Sequence, residues 1–392
     1  MPIRRPEVLV IGLGAMGSAT LYQLAKRGVD VVGIDQYSPP HNLGSTHGET
    51  RITREAVGEG APFVPLVMRS HVLWREIERE SGMHLFRQCG GLILARAGRQ
   101  SPMHEQRDFL GNTIKLAGQF GIAHQLLDAE AIHSRFPQLQ LNGDETGYFE
   151  SGAGYLLPEA CVSVQLELAR LHGARVRLGE RVRSVIPDGD GAIIGTEQTR
   201  YTPKITIVCA GPWLPQLLSN KVTGQLCVRR QVLHWFVNGQ PRRYQYAPEH
   251  FPVFIWHWGS GGNDVFYGFP DIGGGVKVAT EQMIESTTAE TVARDVDPAE
   301  SAEMFATHVS GRLRGITAPA VNAATCLYTN APGANFLIDC LPDLPNVIVV
   351  SACSGHGFKH SAAIGEAVAE MAITNAMQRV LLPFAAKRLS TG

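Results

Sequence analysis

Near the start of the chain, Gly12-Leu13-Gly14-Ala15-Met16-Gly17 follows directly on the apolar run Val8-Leu9-Val10-Ile11. Glycine at these places has three uses. Gly12 allows a tight turn out of a strand, Gly14 lets the backbone approach a pyrophosphate, and Gly17 brings the next helix against the sheet. Ala15 and Met16 open that helix, which carries Leu21, Leu24 and Ala25 on one face, so its first N–H groups are free to meet phosphate oxygens. Asp35 closes the next apolar run and suits ribose hydroxyls; a carboxylate there argues against a 2′-phosphate. Strand, glycine turn, helix and acid together describe a dinucleotide site.

A second glycine element stands near the other end. Ser351-Ala352-Cys353-Ser354-Gly355-His356-Gly357-Phe358-Lys359 follows an apolar strand at 347–350 and opens a helix with Ile364, Val368, Met371 and Ala372 on one face. Gly355, His356, Gly357 and Lys359 therefore place a positive helix end and a lysine where another anionic group can be held. One phosphate motif accounts for an ADP moiety. A second positive centre points to a ring that becomes negative on reduction, which a flavin does and a nicotinamide does not.

The elements that must position these residues alternate along 392 residues, enough for two or three domains. Helices are expected around 66–77, 102–120, 128–135, 158–172 and 361–375, and strands around 90–95, 174–178, 205–209 and 347–350. The stretch 225–310 is rich in aromatic strand signals such as Trp235, Phe254, Trp256 and Phe266. The fold class that follows is α/β with an α+β second domain. A Rossmann-like FAD-binding domain, assembled from 1–85, 150–220 and 320–392, is interrupted by a sheet-rich substrate domain from 86–149 and 221–319.

Composition narrows the partners. A net charge of −1 gives no electrostatic case for nucleic acid or an anionic membrane. The seven cysteines form no CxxC pair and no zinc spacing, so no metal is expected and a reducing, cytoplasmic setting is. No window has the run of apolar residues that a membrane span needs. Arg4-Arg5 precedes an apolar stretch, but that stretch is the strand of the glycine motif rather than a leader.

Further segments carry a family resemblance: Pro39-Pro40-His41, Gly44-Ser45-Thr46-His47-Gly48-Glu49-Thr50-Arg51, Cys209-Ala210-Gly211-Pro212-Trp213, Tyr267-Gly268-Phe269-Pro270 and Cys326-Leu327-Tyr328. With both glycine elements, in this order, the chain resembles the D-amino-acid-oxidase-like amine-oxidising flavoproteins, in particular the monomeric sarcosine oxidase and N-methyltryptophan oxidase family. The resemblance implies FAD, attached through Cys326, with Ser45 and Thr46 beside it and His47 and Arg51 lining the flavin. It implies that Lys359 and Arg54 clamp a substrate carboxylate, although Arg54 could equally form an ion pair with Glu55 or Glu59. Lys277 is the implied lysine over the flavin face that promotes electron transfer to oxygen, and Tyr267 and Tyr328 line the substrate pocket. The expected reaction is oxidation of an N-methyl amino acid to an imine, then to aldehyde and amino acid. Oxygen is reduced to hydrogen peroxide, and the chain acts as a monomer. N-methyltryptophan, a cyclic imino acid such as proline or pipecolate, and a dehydrogenase with a non-oxygen acceptor remain alternatives. Two departures from the family pattern stand out. Paired histidines in the first loop are here Thr46-His47, and a histidine four residues beyond the lysine is replaced by Glu281. That carboxylate is expected to favour a larger or more basic substrate than sarcosine.

Overall fold

The computed structural model describes residues 3–283 and 285–391. Its first sheet has six strands in the order Arg175–Leu178, Val31–Asp35, Val8–Ile11, Ile205–Val208, Leu344–Ser351 and Leu337–Leu341. All neighbours are parallel except the last pair. Side chains alternate across a strand, and Val8–Ile11 uses both faces. Val8 and Val10 join a core with Leu21 and Leu24 of helix Ala15–Lys26, while Leu9 and Ile11 pack with Ile194 and Tyr201. Those last two belong to a four-stranded sheet of Ile3–Arg4, Val182–Asp188, Gly191–Thr196 and Arg200–Tyr201. A parallel sheet covered on both faces is the expected Rossmann-like layer.

Helix Ala15–Lys26 lies between helices Pro158–Leu171 and Ser361–Thr374. The approach to the latter is close, because a Cβ at Gly365 would sit 2.5 Å from the Ala19 Cβ. A second sheet of nine strands takes Gly91–Arg96, Gln125–Asp128 and Glu145–Glu150 from the first half of the chain. The second half supplies Cys227–Asn238, Val253–His257, Val265–Gly268, Val276–Ala279, Ser286–Thr287 and Ile316–Asn330. Its apolar core includes Leu92, Phe149, Phe236, Phe254, Trp256 and Phe266.

Two expectations are corrected. The helix expected from 102 begins only at Phe109, because Asp108 caps it by accepting from the Gly111 N–H at 3.0 Å. Residues 101–108 instead close on themselves through bridges Ser101↔Asp108 and Met103↔Gln106. The domain edge expected at 320 falls inside strand Ile316–Asn330, which pairs along Cys227–Asn238 and so belongs to the nine-stranded sheet.

Candidate active site

One continuous cavity runs along the carboxyl ends of the parallel strands and under the second sheet. At one end it is lined by Gly12, Gly14, Ala15, Met16 and Asp35, in the middle by Ser45, Thr46, Arg51 and Cys326, and at the other end by Lys359 and Glu281. Gly12 has a φ of +84°, and a Cβ there would fall 2.5 Å from the Cys209 carbonyl oxygen. Gly17 lies behind the wall: its Cβ would fall 1.7 Å from the Gly12 carbonyl oxygen, so only glycine lets helix Ala15–Lys26 start this close to the turn. That helix has no capping side chain and no acid in its first turn, leaving its N–H groups available to an anion. Asp35 accepts from the N–H groups of Leu13 at 2.7 Å and Tyr37 at 2.8 Å. Burial pushes its carboxyl upward against those two donors.

In the middle of the cavity, strand Ile316–Asn330 presents Cys326 and Tyr328 two residues apart, hence on one face. Cys326 Sγ lies 3.6 Å from Arg51 Nη2 and 3.6 Å from the Ser45 carbonyl oxygen. The hydroxyls of Tyr328 and Tyr267 are 3.1 Å apart. Burial lifts Tyr267 to about 12 and Tyr328 well above its ordinary value, so both are phenols at neutral pH. Lys277, on strand Val276–Ala279, donates to the carbonyls of Gly48 and Thr50, each at 2.7 Å, and sits 3.9 Å over the Phe269 ring. Burial first, and then Arg51, hold its pKa well below that of an ordinary lysine, while Glu49 and Glu159 pull the other way. His47 does not join Arg51 on the wall. It is buried behind, where desolvation and the Arg51 charge lower its pKa to about 4.

At the far end, Arg54 and Lys359 converge on Glu59, which in the sequence is one of two possible partners of Arg54. Glu59 Oε2 lies 3.1 Å from Arg54 Nη2, and Glu59 Oε1 lies 2.7 Å from Lys359 Nζ. Glu55 is not the partner; its Oε1 lies 3.6 Å from His71 Nδ1. Lys359 also donates to the His356 carbonyl at 3.0 Å. It stands in the short turn Phe358–His360 ahead of helix Ser361–Thr374, buried rather than solvated. Burial lowers its pKa to about 8 despite Glu59. Burial would raise Glu59, but Arg54, Lys359, His356 and His104 hold it well below the carboxylate range. The signal for Glu59 was present in the sequence, as an acid five residues beyond Arg54. His104, from the loop at 101–108, also lines this end, and no motif in the sequence marks it, because a helix is expected there.

Gly355, His356 and Gly357 complete the wall between the two ends. The uncapped helix N-terminus, the glycine turn and the buried cations along one cavity therefore fit an elongated anionic dinucleotide that carries a redox ring. Among the described residues no group of three His, Cys, Asp or Glu side chains is placed to hold a metal. Among them, too, no helix is long and apolar enough to cross a membrane.

Comparison with known proteins agrees with this geometry. The family model for FAD dependent oxidoreductases matches residues 7–371. The monomeric sarcosine oxidase of Streptomyces avermitilis is 36% identical over 391 residues, covering 98% of each chain. The N-methyl-L-tryptophan oxidase of Escherichia coli is 32% identical, covering 97% of this chain and 99% of its own. Among solved structures, NikD, an unusual amino acid oxidase essential for nikkomycin biosynthesis, superposes with a TM-score of 0.83 at 20% identity, covering 97% of each chain. At that identity the superposition speaks for the fold alone.

Proposed function

The chain belongs to the FAD dependent oxidoreductase family, and from that premise we propose that it oxidises a secondary amine of the N-methyl amino acid class with oxygen as acceptor. The observation that carries this reading is the convergence of Arg54 and Lys359 on one carboxylate, in the same cavity as the glycine cradle. Two buried cations around a carboxylate form a place built to hold carboxylates, and a substrate's α-carboxylate takes it by displacing Glu59. FAD, when bound, supplies the two-electron acceptor for the C–H bond beside nitrogen and the route of those electrons to oxygen. In balance, one secondary amine, one oxygen and one water give a primary amino acid, an aldehyde and hydrogen peroxide.

The protein's residues then divide the work. Ala15, Met16 and the first N–H groups of their helix would hold the pyrophosphate, and Asp35 would hold the ribose. Cys326 would hold the flavin covalently through its sulfur, with Arg51, Ser45 and Thr46 beside it. Tyr267 and Tyr328, both protonated, close the pocket against water and orient the amine. Lys277 holds a proton at Nζ where negative charge develops on oxygen, and that charge favours the ammonium form that burial otherwise disfavours. The six-stranded sheet serves as the cofactor half and the nine-stranded sheet as the substrate half. Every group named comes from one chain, so a monomer suffices.

The test is a peroxide assay of the purified yellow protein over sarcosine, N-methyltryptophan, proline and pipecolate. Peroxide with an N-methyl amino acid supports the reading. Flavin bleached by amine without peroxide indicates a dehydrogenase, and no bleaching by any amine sinks the proposal. For the Cys326 link, acid precipitation decides: colour that stays in the wild-type pellet and washes out of Cys326→Ser supports it, and colour that washes out of both removes it.

A further inference from the structure

Glu281 and His104 reach the substrate end of the cavity from different parts of the chain. Glu281 lies just past strand Val276–Ala279, with 11% of its side chain exposed. His104 is at the tip of the 101–108 loop, where His104 and Glu105 have φ values of +48° and +62°. Left-handed backbone at two successive non-glycine residues is uncommon, and here it turns the imidazole inward. The ring is buried, with Nε2 against Glu281 Oε1, Nδ1 3.7 Å from Glu59 Oε1, and its centre 4.9 Å from that of His356. Neither ring nitrogen of His104 is aligned for a hydrogen bond, and Nδ1 of His356 is likewise without one. A Cβ at Gly355 would sit 2.9 Å from Glu281 Oε1 and 3.3 Å from His104 Nε2. The glycine thus lets the turn pack close against this pair, and all three residues line the cavity.

Charge tells what this end of the cavity should receive. Around the carboxylate grip, the cations Arg54 and Lys359 both pair with Glu59, and the Glu281 charge, in contact with His104, also acts on Lys359. Burial and then Lys359 keep His356 neutral. On the flavin side, Arg51 and Lys277 face Glu159, with Glu49 also near Lys277. An N-methyl amino acid whose amine has lost its proton for oxidation brings one uncompensated negative charge into this balanced, buried site, which is costly. An apolar side chain would also leave Glu281 with no partner beyond the His104 ring. A positive charge on the substrate's side chain removes both penalties.

We propose, on the amine-oxidase reading above, that the substrate is a secondary amino acid with a cationic side chain, such as the Nα-methyl derivative of a basic amino acid. Glu281 receives the cation, and His104 is a positioning residue that holds the Glu281 carboxylate toward it.

The holoenzyme is tested with Nα-methyllysine and Nα-methylarginine against sarcosine and N-methylleucine. The expected kcat/KM of the basic substrates exceeds that of N-methylleucine by about thirtyfold, the ratio worth a buried charge pair of moderate strength. Glu281→Gln should bring the ratio to within about threefold by raising KM for the basic substrates, and His104→Ala should lower it partway, in KM rather than kcat. Arginine against leucine as unreactive ligands, read by the flavin absorbance change on binding, should show the same preference. A wild-type ratio near one, or a ratio unchanged in Glu281→Gln, overturns the proposal while the amine-oxidase reading stands. Failure of every amine to bleach the flavin removes that reading, and this one with it. The wild-type ratio decides by itself should either variant not fold.

Discussion

The two ends of the cavity are built by different means. The nucleotide end is made of backbone: a glycine turn, an uncapped helix start and a carboxylate that ties the turn to the next strand. Six neighbouring residues and one acid are enough to make it. The substrate end is made of side chains that meet only in three dimensions. Arg54 and Glu59 come from the loop after strand Arg51–Thr53, His104 from a closed loop, Glu281 from past a strand of the second sheet, and Lys359 from a helix start. A backbone site fails as a unit when its geometry is disturbed. A side-chain site can lose one contact and keep the rest.

The largest expected effect follows at the backbone end. In Gly17→Ala the new Cβ would stand 1.7 Å from the Gly12 carbonyl oxygen, so the helix must move away from the turn at a cost above about 3 kcal/mol. The purified variant should lack FAD altogether, read as absent visible absorbance. Full FAD content would show that the turn tolerates movement and would erase the contrast. Next in size is Lys277→Met. Oxygen consumption should slow by about 10²–10³-fold, while anaerobic bleaching by amine, followed by stopped flow, changes only a few-fold. Equal losses in both half-reactions would place Lys277 in substrate binding instead.

The same division explains what could be read from the sequence. Helices Pro158–Leu171 and Ser361–Thr374 and strands Arg175–Leu178 and Ile205–Val208 fall within a residue or so of expectation, because period and flanking residues are local information. The glycine cradle is local too, and Asp35 lies where the motif requires. The helix expected from 102 is where local information misled. The residues ahead of Phe109 are polar apart from Pro102 and Met103, Asp108 takes the cap, and residues 101–108 fold into the loop that delivers His104. Glu59 was visible as an acid near Arg54, yet nothing local says that Lys359, from the far end of the chain, shares it. Lys359 was expected to need an anion at a helix start, and the structure supplies that anion from the protein itself. His47 stood in a matching motif beside Arg51, but the loop turns it behind the wall.

At the side-chain end, Lys359→Met should raise KM for a carboxylate substrate about a hundredfold and leave FAD content unchanged, checked by absorbance of the purified variant. Loss of FAD there would mean that the two ends are one cooperative unit. A smaller effect comes from pH. Lys359 in the folded protein has a pKa of about 8, lowered from 10.5 mainly by burial. Its ammonium is therefore intact below about pH 8 and is lost as pH rises through that value. KM should climb above pH 8 by up to about tenfold per unit, a break that Lys359→Met abolishes and that a titration of KM from pH 6.5 to 9.5 would record.

The smallest effect is the most discriminating, because stability and affinity should move in opposite directions. Glu59 is held well below the carboxylate range by Arg54 and Lys359. Its contribution to stability is therefore present above its unfolded value near 4.5 and disappears only as pH falls through the lower folded value. Glu59→Gln leaves two buried cations facing an amide, so Tm at pH 7 should fall by several degrees. The same change removes the carboxylate that a substrate must displace, so KM for an N-methyl amino acid should fall by about three- to tenfold. A backbone-built site offers no such opposition, since whatever destabilises the turn also weakens binding. If Tm and affinity fall together in Glu59→Gln, Glu59 helps to position the grip rather than to occupy it, and the substrate end then behaves like the nucleotide end.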